Sequence, residues 1–329
     1  MNVRRPITSG AVWTAADVGG PAAWTDELDE TGIAAIRSAV AHARAAGADP
    51  ASLTREAFPL GSLTGHVAGW AEELAHGHGF VLVRGFPVDE LTPEDVELAY
   101  VGLGLHLGTP VSQDASGTTL GHVIDERIER TGPEVRLYRT NARQDFHTDG
   151  ADVIGLLCLD GAKSGGESRI VSAAAVYNEL LRRDPALVET LYAPMSWDRN
   201  GEESPGEAPF YELPVLTDVD GRPRFFYIGW YIRDAQRHPA APRLTDAQRA
   251  AMEQIEAIAN DPAFHVEMDF RPGDIQWLNN SVILHSREAY EDWDELERRR
   301  HLLRLWLRAH DFAAVEDLLR RGIPTRRDS

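Results

Sequence analysis

The sequence predicts an α+β protein in which a barrel or sandwich of short strands is flanked by helices. From about residue 120 onward, short strand-like runs alternate with turns, as they do in all-β barrels and sandwiches. The dipeptide Asp220-Gly221 between two such runs is typical of a hairpin turn. The predicted strands are Val153–Leu159, Ser168–Ser172, Phe225–Tyr231, His265–Phe270, Ile275–Leu278, Val282–Leu284 and Leu302–Leu307.

The region before residue 120 carries more helix signals. Thr25-Asp26 can cap a helix that runs to about Ala45, and Thr92 followed by proline is a capped helix start. A further helix is predicted over Ser62–His76. Helical segments also interrupt the strand-rich part, at Ala173–Arg183, Pro185–Tyr192 and Thr245–Asn260.

Length and composition fit one globular unit. The chain has 329 residues, of which 43% are hydrophobic, so it can bury a sizeable core. We therefore expect a single domain over residues 1–329. A helix-rich extension over about residues 1–75 would pack on a strand-rich catalytic core over about residues 75–310.

Charge and cysteine usage restrict the partners. The net charge is −19, from 33 basic and 52 acidic residues, and such a surface repels nucleic acid and anionic membranes. No stretch approaches 18 apolar residues and no apolar segment follows Arg4-Arg5, so we expect a cytoplasmic protein. Cys158 lies in an apolar run and is expected to be a buried, inert thiol. The expected partner is a small molecule, and a homo-oligomer stays possible.

His147 and Asp149 form a candidate metal site with His285. In an extended strand, residues two apart project from the same face, so His147 and Asp149 can reach one ion. Two imidazoles and one carboxylate leave positions open on a metal, which is typical of non-haem iron(II) oxygenases. The tripeptide alone is a weak signal, because a surface histidine bonded to a neighbouring carboxylate gives the same pattern.

The segment after His285 strengthens this interpretation. In a strand, Arg300 and Arg304 share one face with Leu302, in a sequence that otherwise looks like core. A guanidinium stays charged when buried and binds a carboxylate with two hydrogen bonds. We therefore expect these two arginines to capture a dianionic small molecule. Arg298 and Arg299 are expected to form a solvated cationic edge.

Together these motifs resemble the taurine dioxygenase-like branch of the iron(II)/2-oxoglutarate oxygenases, which is related to clavaminate synthase. The resemblance covers about residues 75–310. Its motifs are Phe146-His147-Thr148-Asp149, Ser164-Gly165-Gly166-Glu167-Ser168, Pro272-Gly273-Asp274-Ile275, Asn280 before His285, and Arg300-His301-Leu302-Leu303-Arg304. About 70 N-terminal residues have no counterpart in it.

The resemblance implies a double-stranded β-helix (jelly-roll) core. It also implies His147, Asp149 and His285 as iron ligands and catalytic residues. The distal carboxylate of the cosubstrate would be held by Arg300 and the hydroxyl of Ser168, with Arg299 as the alternative if the register differs by one. Arg304 would approach the other end of the cosubstrate or an acidic group of the substrate.

The implied activity is a dioxygenase reaction with iron(II), 2-oxoglutarate and O2 that gives succinate and CO2. The carboxylate of Asp149 favours hydroxylation, desaturation or ring formation, since related halogenases carry a small residue there. Two alternatives remain, namely a zinc hydrolase with the same three ligands and a non-catalytic cupin-like binding protein. Neither accounts for the paired arginines.

The substrate is the least defined part. Arg143 and Gln144 directly precede the metal motif and are expected at the pocket mouth, which favours a small polar, amino-acid-type or natural-product substrate. Alternatively, Arg143 pairs with Asp145 or Asp152 at the surface. Other expectations are core packing or pocket lining for Trp230, Tyr231 and Trp277, and support of the His285 strand by Asn280.

Overall fold

The computed structural model describes residues 4–114, 116–128, 132, 135–219, 222–310 and 312. Its α-helices are α1 (Glu30–Ala45), α2 (Thr64–His76), α3 (Pro93–Gly104), α4 (Ala173–Arg183), α5 (Pro185–Leu191), α6 (Gly229–Ala235) and α7 (Asp246–Ala259). Its strands are β1 (Thr25–Glu27), β2 (Phe80–Arg84), β3 (Gly108–Pro110), β4 (Leu120–Ile124), β5 (Gln144–His147), β6 (Val153–Asp160), β7 (Ser164–Gly165), β8 (Ser168–Ser172), β9 (Met195–Asp198), β10 (Phe210–Leu213), β11 (Leu216–Val219), β12 (Arg222–Phe225), β13 (His265–Met268), β14 (Ile275–Asn279), β15 (Ile283–Arg287), β16 (Tyr290–Glu291) and β17 (His301–Ala309). The chain is thus a mixed α/β protein.

The first helix begins later than its sequence signals predict. Asp29 caps α1, because its carboxylate accepts a hydrogen bond from the backbone N–H of Gly32 at 2.8 Å. Thr25 and Asp26 belong instead to β1, which pairs in parallel with β2. The predicted cap at these two residues was therefore wrong. The start of α3 is confirmed, with Thr92 as its cap.

A seven-stranded sheet forms one wall of the molecule. Its order is β1-β2-β14-β6-β17-β3, and β4 also pairs with β17. Helices α1, α2 and α3 share a hydrophobic core with one face of this sheet. That core includes Ile36, Leu63, Trp70, Leu98, Leu157, Trp277, Leu303 and Leu305. The helices before residue 105 thereby cover one side of the sheet.

A four-stranded sheet, in the order β13-β8-β15-β5, forms the second wall. On one side it packs against α4 and α7 in a second core, to which Val171, Val176, Ile255 and Leu284 contribute. Between the two sheets lies a third apolar layer. The larger sheet supplies Phe80, Ile154, Leu278 and Trp306 to it, and the smaller sheet supplies Ile170, Met268 and Ile283. The strand-rich part is therefore layered, as the sequence predicts.

One predicted strand is shorter than expected. β12 ends at Phe225 and the chain turns into α6 at Gly229, so the predicted strand Phe225–Tyr231 was wrong over most of its length. Between β12 and α6 the backbone pairs with the segment after β5 instead of with β11. The N–H of Thr148 donates to the carbonyl of Tyr227 at 2.8 Å. The Asp220-Gly221 turn lies outside the described residues, although β11 and β12 on either side pair antiparallel.

Two further expectations concern single features. Cys158 is a free, buried cysteine, as predicted, and burial raises the pKa of its thiol to about 12. Among the helices that the structure describes, none combines the length and the apolarity that crossing a bilayer requires.

A close contact inside the larger sheet depends on Gly155 in β6. A Cβ atom at this position would lie 2.3 Å from the Trp277 ring and 2.5 Å from the hydroxyl of Tyr100. Both aromatic residues are fully buried and their rings stack at 5.5 Å. Neither ring can move aside easily, because the surrounding core is packed.

We predict that Gly155→Ala lowers the free energy of unfolding by about 1–3 kcal/mol, the usual cost of overpacking a core. The measurement is urea-induced unfolding followed by tryptophan fluorescence. The matched control is Gly69→Ala on α2, where a Cβ atom meets nothing within 4 Å. This control should raise stability by about 0.4–1 kcal/mol, because alanine restricts the unfolded chain. Equal stabilities of the two variants would contradict the packing argument.

Candidate metal centre

The pairing of β5 with β15 brings the three predicted metal ligands together. His285 lies directly opposite His147 in the antiparallel register, and Asp149 follows β5. One ligand atom from each side chain lies within 4.8 Å of the other two. The carboxylate of Asp149 is 3.6 Å from His147 Nε2 and 3.8 Å from His285 Nε2. All three residues are more than nine-tenths buried.

Neighbouring side chains fix the carboxylate of Asp149. Trp306 Nε1 donates to its Oδ2 at 3.0 Å, and Arg304 lies 3.7 Å from the same oxygen. Burial alone would raise the pKa of Asp149, but the neighbouring Arg304 guanidinium holds that pKa well below its usual range. Asn280 accepts from the Asp149 backbone N–H at 2.8 Å and donates to its carbonyl. Asn280 thus fixes the loop that carries Asp149, whereas the sequence analysis expected it to support the strand of His285.

Both histidines face the carboxylate with their Nε2 atoms. His147 Nδ1 lies 2.9 Å from the carbonyl oxygen of Asp145 and donates to it, and its Nε2 faces Asp149. Burial lowers the pKa of His285 to about 3, so its imidazole is neutral. Two imidazoles and one carboxylate match the donor set of a non-haem iron(II) site.

An inner cavity beside the triad contains the predicted cosubstrate arginine. Arg300 is 4% exposed and lines this cavity together with Ser168, His147 and His285. Its terminal nitrogen Nη1 has no hydrogen-bond partner among the described residues, and Nη2 donates to the carbonyl of Gly166 at 3.3 Å. Burial lowers the pKa of Arg300 from its ordinary value. A buried, incompletely paired guanidinium is costly, so the cavity is suited to an anion.

Arg287 is a second buried arginine in this cavity, and the sequence analysis missed it. Its Nε and Nη1 atoms have no partner within the described part of the chain, while Nη2 donates to the carbonyl of Thr140 at 2.9 Å. Burial and the neighbouring Arg300 lower the pKa of Arg287 to about 10. Strand alternation could have found it, because it lies two residues after His285 on β15.

The arginines after β16 differ in the direction of their side chains. Arg299 points away from the inner cavity, and its guanidinium donates to the carbonyls of Asp125, Trp293 and Asp294 at 3.1–3.3 Å. Arg298 stacks over the Trp293 ring at 3.6 Å. The geometry therefore places Arg300, not Arg299, beside the triad.

An outer cavity of about 280 Å³ opens on the other side of the triad. Gln144, Trp230, Tyr231 and Arg304 line it, and the Trp230 ring lies 4.9 Å from that of His147. Gln144 Nε2 is 3.1 Å from His147 Nε2, so its amide lies at the metal site itself. Trp277 is buried in the core and lines neither cavity.

The expectation that Arg143 faces this cavity is not supported by the structure. The Arg143 side chain is 39% exposed and lines neither cavity. Its guanidinium contacts Asn260, and its Nε lies 3.2 Å from Asp145 and 3.6 Å from Glu288. Arg143 therefore forms the surface ion pair with Asp145 that the sequence analysis gave as the alternative.

Comparisons with known proteins agree with this geometry. The sequence profile of the taurine catabolism dioxygenases, the TauD/TfdA family, matches residues 39–306. The chain belongs to this family. As a TauD/TfdA enzyme it is a dioxygenase that uses iron(II) and 2-oxoglutarate, so the resemblance inferred from its motifs is confirmed.

Relatives and solved structures extend over most of the TauD/TfdA chain. FR-33289 synthase of Streptomyces rubellomurinus is 34% identical over 308 residues, which are 93% of this chain and 91% of the relative. A uridine-5'-phosphate dioxygenase of Amycolatopsis is 26% identical, over 78% of this chain and 93% of that one. Asparagine oxygenase, solved with Fe(II), hydroxyasparagine and succinate, superimposes with a TM-score of 0.64 at 19% identity and covers 86% and 93% of the two chains.

We predict that His147→Ala, Asp149→Ala and His285→Ala each remove tight iron(II) binding while the far-ultraviolet circular dichroism spectrum stays unchanged. Each substitution deletes one of three ligands, and a site with two ligands holds the ion far more weakly. Equilibrium dialysis under anaerobic conditions measures the bound metal. The matched control is His301→Ala, a histidine that lies outside both cavities. Full iron occupancy in His285→Ala would contradict the assignment.

We predict that Arg300→Ala weakens 2-oxoglutarate binding about 30-fold or more, since losing a buried charged pair costs about 2–5 kcal/mol. Ser168→Ala should cost only about 0.5–1.5 kcal/mol, the contribution of one ordinary hydrogen bond. Anaerobic titration of the iron(II)-loaded protein, followed by its visible absorption, measures the Kd. Arg299→Ala is the control and should leave the Kd near the wild-type value. If Arg299→Ala weakened binding and Arg300→Ala did not, Arg299 would be the residue that binds 2-oxoglutarate.

Proposed function

We propose that this enzyme oxidises an unactivated C–H bond of a small polar molecule at an iron held by His147, Asp149 and His285. The observation that carries the proposal is the buried, incompletely paired Arg300 beside the triad. A dicarboxylic 2-oxo acid that chelates the metal with one end would place its other carboxylate toward this guanidinium. One ligand would then satisfy both the metal and the arginine.

The residues around the triad have separate tasks in this proposal. Arg300 pairs with the distal carboxylate of 2-oxoglutarate, and the hydroxyl of Ser168, at present 3.3 Å from Gln276, contributes a second hydrogen bond. Arg287 adds positive charge to the same cavity. When bound, iron(II) and 2-oxoglutarate reduce O2, release succinate and CO2, and supply the oxidant that breaks the C–H bond. The protein contributes positioning and a shielded cavity.

The outer cavity is the proposed substrate site. Gln144 and Arg304 place polar groups next to the metal ligands, while Trp230 and Trp306 form apolar walls that limit water. One relative is a uridine-5'-phosphate dioxygenase, and the asparagine oxygenase structure contains hydroxyasparagine, so both names refer to small polar molecules. We propose an amino-acid-type or natural-product substrate of similar size and polarity.

The ligand set restricts the type of reaction. The carboxylate of Asp149 is fixed by Trp306 and Arg304, so it would hold the metal at the place that a halide would need. Hydroxylation, desaturation or ring formation is therefore proposed. A zinc hydrolase or a cupin-like binding protein could use the same triad, but neither gives a use for the unpartnered nitrogens of Arg287 and Arg300.

The finer description of the fold also belongs to this proposal. We propose that the two facing sheets are the halves of a double-stranded β-helix, with the site between them. The shared core of α1–α3 and the larger sheet supports a single domain in which the N-terminal extension packs on that core. The cytoplasmic location remains a prediction from the sequence.

The experiment that tests this function is a substrate screen. We expect the iron(II)-loaded protein with ascorbate to convert 2-oxoglutarate to succinate in equal amount to an oxidised product for at least one small polar compound. Mass spectrometry would show a gain of one oxygen atom or a loss of two hydrogen atoms. Arg300→Ala should lose this turnover, whereas Arg299→Ala should keep it. Hydrolysis supported by zinc, without consumption of 2-oxoglutarate, would instead establish the hydrolase alternative.

A further inference from the structure

Asn200 presents an unused amide group in the outer cavity. It lines the same cavity as His147 and Asp149, yet it is only 5% exposed. Its Oδ1 and Nδ2 atoms are both buried, and neither has a hydrogen-bond partner in the described part of the chain. A buried amide with both its acceptor and its donors unsatisfied is rare in folded proteins. The feature therefore indicates a missing ligand group.

The backbone around Asn200 is fixed in a demanding conformation. Asn200 has a φ of 53°, in the left-handed region that residues other than glycine seldom adopt. Its N–H donates at 2.7 Å to the carboxylate of Asp198, which is itself fully buried. Arg237 and His238 hold the same carboxylate at 2.8 and 2.9 Å. Strain that is supported in this way is typical of functional positions.

The neighbouring Arg199 adds a positive charge to the cavity. Its Nε atom is buried without a partner among the described residues. Its guanidinium lies over the ring of Tyr211 at 5.2 Å, which holds the side chain in place without neutralising it. A cation that rests on an aromatic face keeps its hydrogen-bond donors available.

The other arginines of the outer cavity are already engaged. Arg136 pairs with Glu202 and donates to the hydroxyl of Tyr231. Arg139 pairs with Glu126 at 2.6 Å. Arg304 donates to Gln113 at 2.7 Å and lies near Asp149. Arg199 is therefore the arginine of this cavity best able to bind an external anion.

We propose that Arg199 and Asn200 form a substrate-recognition site for a small molecule that carries both an amide-type group and an oxyanion. Asn200 would pair with the amide, accepting from its N–H and donating to its C=O. Arg199 would bind the oxyanion, which can be a carboxylate or a phosphate. This inference rests on the proposed function, because it defines the substrate class of that same cavity.

The test uses three sets of probes, namely N-acetyl amino acids, amino acids with a side-chain carboxamide and amide-bearing phosphate monoesters. Each acid is paired with its neutral ester. The iron(II)-loaded protein is assayed for 2-oxoglutarate consumption that depends on the probe. We expect turnover of at least one amide-bearing oxyanion, and the arm that is accepted identifies the anion as carboxylate or phosphate.

Variants then assign the two contacts. Asn200→Gly keeps the left-handed backbone and should raise the KM about tenfold or more, as expected for the loss of two hydrogen bonds. Arg199→Gln should raise the KM by a similar factor for the acid but not for its neutral ester. Arg182→Gln on the exposed face of α4 is the matched control and should behave as the wild type. Anaerobic 2-oxoglutarate titration shows whether each variant retains its cosubstrate site.

Two results would overturn the recognition site. One is intact 2-oxoglutarate binding without turnover of any amide-bearing oxyanion. The other is a wild-type KM in both Asn200→Gly and Arg199→Gln. A wild-type protein that fails to bind 2-oxoglutarate would instead contradict the proposed function, so the two failures are distinguishable.

Discussion

The antiparallel register between β5, β15 and β8 determines the chemistry of this protein. It sets His285 opposite His147, and two residues further along β15 it sets Arg287 opposite Ser168. Metal ligands and anion-binding groups thus occupy successive rows of one sheet. A shift of one residue in this pairing would turn the side chains of a strand to the other face, so the site and the hydrophobic layer between the sheets depend on the same hydrogen bonds.

The interior of the site carries an excess of positive charge that the fold alone does not neutralise. Arg287, Arg300 and Arg304 are all more than nine-tenths buried around one carboxylate, Asp149. The whole chain has a net charge of −19, so these cations are concentrated against the overall trend. Binding of a dianion would relieve this unfavourable local charge. Cosubstrate binding and folding stability are thereby coupled.

Much of the site could be predicted because strands alternate their side chains. The shared face of Arg300 and Arg304 follows from that period, and the same rule applied to His285 would have revealed Arg287. Alternation also pointed to the pair His147 and Asp149, although β5 ends at His147 and Asn280 fixes Asp149 in the following loop. The fold class and the late strands were predictable for the same reason. The strand β1 was not predictable, because Thr25 and Asp26 are residue types that cap helices and the strand that they form is only three residues long.

Other parts of the site depend on departures from regular structure. Between the pairs that join β5 and β15, three steps along β5 oppose two along β15, so β5 contains a bulge. The bulge turns Gln144 to the side of His147 and leaves Arg143 at the surface, which strict alternation does not predict. Asn200 lies in a loop whose left-handed backbone has no periodic signal.

The helices α1–α3 limit how far the protein can be shortened from its N-terminus, because they share a core with the larger sheet. The family match begins at residue 39, inside α1, yet Ile36 in that helix is fully buried in the core that covers Trp277 and Leu303. A chain trimmed to the matched segment would leave apolar surface of the larger sheet in contact with water. The opposite face of that sheet carries Trp306 and Arg304. The N-terminal segment thus completes the hydrophobic core behind the sheet that carries Arg304 and Trp306.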